Sequence, residues 1–239
     1  MIKKIIFLTL LTIIFIISIF CINYYYGKKF HLNKNSNNNE YELIDIQLPN
    51  NQSILNLKNT IITKGNVLKP NKNYNNAQGK KLTYFQLPED IKLFYENDFL
   101  QNKVSEVVGE KVYYAGHKEK YRIFTRLYDN ENDFLNWHYD NNFTKGNRYS
   151  LVIPILVSEN NTSEFMIKDR KDGKEKVVKI PLGKGVIYNG SKTYHKITKQ
   201  SKDNYRMVVI IPFYSNTKKN MLGTIREQFR NFTARKLTL

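Results

Sequence analysis

The sequence predicts a mainly β domain, a sandwich or barrel with flanking helices, behind an N-terminal transmembrane helix. Three observations carry that reading. Residues 5–22 contain no charged side chain. Eight short segments rich in Tyr, Val, Ile and Phe follow one another between residues 121 and 214, separated by Asn, Asp, Gly and Lys clusters, as strands of an all-β domain do. Apolar residues recur at helical spacing on both sides of those segments.

In the N-terminal run only Thr9, Thr12 and Ser18 interrupt the apolar residues, and 18 residues would extend about 27 Å as a helix, close to a bilayer core. Lys3 and Lys4 precede the run and Tyr24, Tyr25 and Tyr26 follow it, where amphipathic rings favour the headgroup level. A cleaved signal peptide would need small residues at its exit, and Ser18-Ile19-Phe20-Cys21 lacks them. The expectation is an uncleaved anchor over residues 1–27, touching lipid through residues 5–22. Lys28, Lys29 and Lys34 nearly balance the lysines before the run, so orientation is weakly encoded.

Residues 28–81 are Asn- and Lys-rich and read as a stalk with one or two strands. Pro88, Glu89 and Asp90 then signal a helix start, and Leu93, Leu100, Val104, Val107 and Val108 place one helix of about 20 residues up to Gly109. The predicted strands are 121–128, 135–140, 148–157, 163–168, 176–180, 185–188, 194–198 and 205–214. Met221, Ile225, Phe229 and Phe232 restore a helical face that packs on the sheet. The predicted globular domain spans residues 82–239, and no internal repeat is visible.

Cys21 is the only cysteine, which excludes an intrachain disulfide, a multi-cysteine zinc site and a cysteine-ligated cluster, so a metal here must use His and carboxylates. The formal charge is +17, which invites a nucleic-acid partner. That partner is not favoured: the surplus is mostly Lys, spread along the chain as on a solvated surface, with only eight Arg and no arginine-rich stripe.

Two of the four histidines have company. In Trp137-His138-Tyr139-Asp140 the period of two puts His138 and Asp140 on one face of a strand, with Cα atoms about 6.6 Å apart. His195 follows on a separate strand, after the turn-forming Gly183-Lys184-Gly185. Two His and one Asp make a facial triad that leaves three positions open on a six-coordinate ferrous ion. Arg206 heads the apolar strand that follows, and an arginine facing a barrel interior is costly unless a carboxylate meets it, best in bidentate fashion.

On these residues the sequence resembles the Fe(II)/2-oxoglutarate-dependent dioxygenases, and among them the prolyl 4-hydroxylase-like branch. His138-x-Asp140, His195 and Arg206 match in order and approximate spacing, and Tyr128 stands ten residues before His138, where that branch often has a tyrosine for the cosubstrate's distal carboxylate. The resemblance covers about residues 121–214. It implies a double-stranded β-helix (jelly-roll) core, iron on His138, Asp140 and His195, and 2-oxoglutarate held by Arg206 with Tyr128. Arg148 is expected as an ion-pair partner.

Departures limit the likeness. The Gly-Gly pair preceding a Leu-x-Phe segment in prolyl hydroxylases is replaced by Ser163-Glu164-Phe165, Pro212 stands where the nucleic-acid dealkylases have a second arginine, and Asp140 excludes the halogenating branch. The implied activity is hydroxylation of an unactivated C–H bond coupled to decarboxylation of 2-oxoglutarate, with ascorbate as a supporting reductant and a peptidyl prolyl or lysyl side chain as first substrate. The alternatives are a cupin-like small-molecule-binding barrel and a membrane-tethered basic adaptor without catalysis. Six Asn-x-Ser/Thr sequons, at Asn51, Asn142, Asn160, Asn161, Asn189 and Asn231, would be glycan acceptors in a secretory lumen. Asn142 and Asn189 lie near the proposed ligands, which points to a cytosolic catalytic side.

Overall fold

The computed structural model describes residues 40–69, 77–169 and 172–226. The expected anchor over residues 1–27, the start of the expected stalk and the end of the C-terminal helix lie outside these described residues. Among the described residues no helix is long and apolar enough to cross a membrane.

The architecture is a curled antiparallel half-barrel with a few short helices on one face. The strands are β1 (Tyr41–Asp45), β2 (Asn66–Leu68), β3 (Ala77–Leu82), β4 (Tyr113–Tyr114), β5 (Phe124–Tyr128), β6 (Phe134–His138), β7 (Arg148–Val157), β8 (Phe165–Lys168), β9 (Glu175–Val178), β10 (Lys184–Asn189), β11 (Tyr194–Ile197) and β12 (Arg206–Tyr214). They pair in the order β1-β10-β7-β12-β5-β3-β6-β11-β8-β9, with β2 added to β3 and β4 to β12. This is a jelly roll of two facing sheets. Strand β3 belongs to both: Lys80 to Leu82 pair with β5, while Ala77 and Gln78 pair with β6. Gly79 makes the corner between them at φ +133°, and a Cβ there would stand 2.8 Å from the Leu127 carbonyl oxygen, so only glycine fits.

Alternation along the strands divides two cores. On β12, Met207, Val209, Ile211 and Phe213 pack toward the helices, while Val208 and Ile210 face the barrel interior beside Phe124 and Tyr128 of β5. A one-residue slip of β12 would turn Arg206 out of the interior and into the helix-side core, so the apolar pattern fixes where the arginine points.

Three α-helices precede β4, α1 (Asn51–Lys64), α2 (Glu89–Tyr95) and α3 (Asp98–Val108), and residues 221–226 are helical where the C-terminal helix is expected. In α1 the Asn50 side chain caps the Ser53 amide at 2.9 Å, and Ile54, Leu57 and Ile61 bury one face against the outer core. The stretch expected as one helix of about 20 residues is two. Asn97 breaks it by leaving helical backbone angles and capping the Leu100 amide at 2.8 Å, and Gly109 closes α3 in the left-handed region.

All eight predicted strands are present, and four more precede them. The described part of the expected stalk is integral to the domain: β1 pairs with β10 along five residues and α1 lies in the core. Its polar composition reflects an edge strand and a half-exposed helix.

Candidate metal centre

The site is built at the interior ends of β6, β7, β10 and β11. His138 ends β6 and stands directly opposite His195 of β11 in the antiparallel register. Asp140 lies just past β6, and its amide donates to the Gly190 carbonyl at 2.8 Å, which turns the carboxylate inward. Gly190 itself has no room for a side chain, because a Cβ would meet Asp140 Oδ2 at 2.3 Å and Ser150 Oγ at 2.7 Å.

The ligand atoms of His138, Asp140 and His195 all lie within 4.8 Å of one another. Asp140 Oδ1 is 3.7 Å from His138 Nε2 and 4.0 Å from His195 Nε2. Backbone carbonyls fix the tautomers: His138 Nδ1 meets the Asn136 oxygen at 2.8 Å and His195 Nδ1 the Thr193 oxygen at 2.9 Å. A carbonyl can only accept, so each Nδ1 carries the proton and each Nε2 offers a lone pair to the centre. The other oxygen of Asp140 is taken: Ser150 Oγ donates to Oδ2 at 2.5 Å and Arg148 stands 3.7 Å from it. Oδ1 is therefore the free, inward donor. Tyr188 Oη, buried beside the pair, donates to that lone pair of His195 Nε2 at 3.1 Å and would yield it to a bound metal.

Burial, reinforced for His138 by its neighbour His195, lowers both imidazoles, with His138 brought to about 3. Burial opposes ionisation of Asp140, but Arg148, the two histidines and the Ser150 hydroxyl outweigh it and hold the carboxyl below its ordinary range. Two neutral imidazoles and one carboxylate are the protonation states a divalent ion needs.

Arg206 opens β12 between Tyr128 of β5 and Val157 of β7. It is buried, and its Nη1 donates to the Ser163 carbonyl at 3.1 Å. Among the described residues it has no carboxylate partner, and the buried Ser163 hydroxyl has no hydrogen-bond partner among them either. Tyr128, 1% exposed, lines the same interior. A buried guanidinium without an acid, next to an unsatisfied hydroxyl, fits an incoming carboxylate.

No protein-family model matches the chain, and no curated protein matches it in sequence. Solved structures do match its fold. A prolyl-4-hydroxylase from Pseudomonas putida is similar at a TM-score of 0.52, with 13% identity, over 73% of this chain and 91% of that one. An oxidoreductase of the 2OG-Fe(II) oxygenase family from Burkholderia pseudomallei gives 0.55, with 9% identity, over 76% of this chain and 88% of that one. The epimerase SnoN, in complex with Fe3+, alpha ketoglutarate and nogalamycin RO, gives 0.56, with 11% identity, over 73% of this chain and 78% of that one. This is the fold of the 2-oxoglutarate/Fe(II) oxygenases. Within that oxygenase fold the chain carries the His138, Asp140 and His195 facial triad, at the ends of β6 and β11.

The structure also places residues that the motif reading left out. Ser150 lies two positions beyond Arg148 on β7 and so shares its inward face; that period of two was a usable signal. Ser163, Tyr188 and Gly190 come to the site only through pairing between distant strands, for which no local pattern exists.

Proposed function

We propose that the chain is an Fe(II)/2-oxoglutarate-dependent oxygenase of the hydroxylase type. The observation that carries this reading is the convergence of three correctly protonated ligand atoms, with every competing atom of Asp140 and of both Nδ1 positions already engaged. Iron would be held by His138 Nε2, Asp140 Oδ1 and His195 Nε2, and 2-oxoglutarate by Arg206 with Tyr128 and the Ser163 hydroxyl near its distal carboxylate. When bound, the iron and cosubstrate supply oxygen activation coupled to decarboxylation. The protein's own residues fix the donors, neutralise the cosubstrate charge and close the site behind apolar walls. Ascorbate would keep the iron ferrous.

The finer reading is a peptidyl prolyl or lysyl substrate, with the chain anchored in a membrane through residues 5–22 and its catalytic domain on the cytosolic side. The test is stoichiometric. Purified full chain supplied with Fe(II), ascorbate and 2-oxoglutarate should release succinate and carbon dioxide in equal amounts, and a cupin-like binding barrel or a basic adaptor would release neither. Absence of succinate together with absence of anaerobic Fe(II) binding would overturn the reading.

A further inference from the structure

Two cations on the interior wall are left over by the proposed chemistry. Arg126 is the central residue of β5, on the same face as Phe124 and Tyr128, and it lies opposite Val208 of β12, also an interior residue. Its Nε and Nη1 are fully buried and meet no hydrogen-bond partner among the described residues. Directly across the sheet, in register with Arg126, stands Lys81 of β3. Lys81 Nζ donates to the Tyr121 hydroxyl at 3.2 Å and lies 4.6 Å from that ring's centroid, while Lys120 covers the same ring at 5.0 Å.

Like charges facing each other across paired strands destabilise a sheet, and two buried, idle donors on a half-buried guanidinium are costly. No ion pair to Arg126 or Lys81 exists among the described residues, whereas the neighbouring Lys80 is paired with Asp129 at 2.7 Å. Burial, with Arg126 and Lys120 close by, lowers the Lys81 amine from its ordinary value. The cosubstrate does not account for the pair. On the proposed reading its two carboxylates would be met by the metal and Arg206, and Arg148 is neutralised by Asp140. What remains is two cations facing each other on the interior side of the sheet, with no counter-ion among the described residues.

We propose that Arg126 and Lys81 form an oxyanion subsite that holds a carboxylate or phosphate group of the substrate while another part of the substrate faces the metal. The proposal rests on the oxygenase reading and narrows it. A lysyl side chain would bring a further cation against this wall, so an acidic substrate, or a prolyl peptide with an acidic neighbour, is the class it selects.

The test separates the anion site from the iron chemistry. Inorganic phosphate is titrated calorimetrically into the metal-free full chain, its Arg126→Met and Lys81→Met variants, and Arg206→Met. Wild type should bind phosphate. Arg126→Met and Lys81→Met should weaken binding about tenfold or more, as for loss of a charge-assisted contact, while Arg206→Met, which removes the other buried guanidinium, leaves the Arg126-dependent phosphate binding in place. The unfolding midpoint of Arg126→Met should stay the same or rise, because an unpaired buried charge has been removed; a falling midpoint would point to a structural role and count against the proposal. Equal phosphate binding by wild type and Arg126→Met, or none by wild type, would overturn it.

A second titration of 2-oxoglutarate with Fe(II) under anaerobic conditions identifies the source of the anion. If Arg126→Met weakens 2-oxoglutarate as much as Arg206→Met does, the pair serves the cosubstrate and the substrate subsite is refuted. Phosphate binding that depends on Arg126 in a chain that binds no Fe(II) would keep the anion site and remove the oxygenase reading instead.

Discussion

His138 and His195 occupy directly opposed positions on β6 and β11, with ring centroids 4.1 Å apart and both Nδ1 atoms tied to backbone carbonyls two residues earlier in the chain. The sheet itself, and no mobile loop, sets the spacing of the two Nε2 atoms. His138→Ala or Asp140→Ala should therefore remove Fe(II) binding while the sheet stays folded, since the remaining two ligands hold a ferrous ion poorly. Anaerobic calorimetry with Fe(II) checks it, with circular dichroism as the folding control; wild-type affinity in both variants would rule out the triad.

Asp140 depends on Ser150 for its orientation. With the Ser150 hydroxyl gone, Arg148 at 3.7 Å is the only side chain left on Oδ2 among those the structure places there, and the carboxylate is free to turn both oxygens inward. Ser150→Ala should weaken iron about 10- to 100-fold, the usual effect of losing an orienting partner. Ser150→Thr, which restores a hydroxyl, should recover most of the affinity. A drop in unfolding midpoint with unchanged iron affinity would make Ser150 purely structural.

Arg206 should govern cosubstrate affinity and leave iron affinity alone. Arg206→Lys keeps the charge but loses the two-pronged fork, so the apparent KM for 2-oxoglutarate should rise roughly tenfold with iron retained. An unchanged KM would move the cosubstrate elsewhere. Lys196 is then a poor substitute, since it lies over the outward Trp137 ring at 4.5 Å and pairs with Glu175.

The metal-free protein should lose stability in acid through its histidines. Both are lowered in the folded state, so below the unfolded value of 6.5 the unfolded chain binds protons that the native chain refuses. Stability is full above that value and falls as pH drops toward about 3 for His138. The slope approaches about 1.4 kcal/mol per pH unit for each histidine. Denaturant melts at stepped pH values check this, and His138→Gln should flatten the profile between pH 6.5 and 4; an unchanged slope would show that His138 does not titrate in that window.

The ligand residues were legible in the sequence because each announces itself locally. His138 and Asp140 share one face by a period of two, His195 sits on its own short strand, and Arg206 is the lone charge heading another. The rest required pairing that leaves no local trace. Arg126 looks like an ordinary surface cation in an alternating strand until β12 and β3 show which face is inside. Residues 41–45 and 51–64 look like a polar stalk because only one side of each is buried, and Asn97 gave no warning that its side chain would cap a second helix.

The last prediction concerns the side of the membrane on which the domain is proposed to work. Two sequons lie in the turns that hold the centre, and their amides are already engaged. Asn142 Nδ2 donates to the Gly146 carbonyl at 2.6 Å while its Oδ1 accepts from the Thr144 amide and hydroxyl at 3.0 and 2.8 Å. Asn189 Nδ2 donates to Asn147 Oδ1 at 3.3 Å and its Oδ1 accepts from Ser191 Oγ at 2.9 Å, one residue from Gly190, which shapes Asp140. A glycan on either nitrogen would have to displace these bonds or crowd the loops that carry the ligands. A working domain should therefore face the cytosol. Expressed in a eukaryotic host, the full chain should resist alkaline carbonate extraction, show no mobility shift on glycosidase treatment, and be digested by protease added from the cytosolic side. A glycosidase-sensitive chain that still turns over 2-oxoglutarate would place the domain in the lumen and show that these turns tolerate the sugar, whereas carbonate-extractable chain would remove the anchor at residues 5–22.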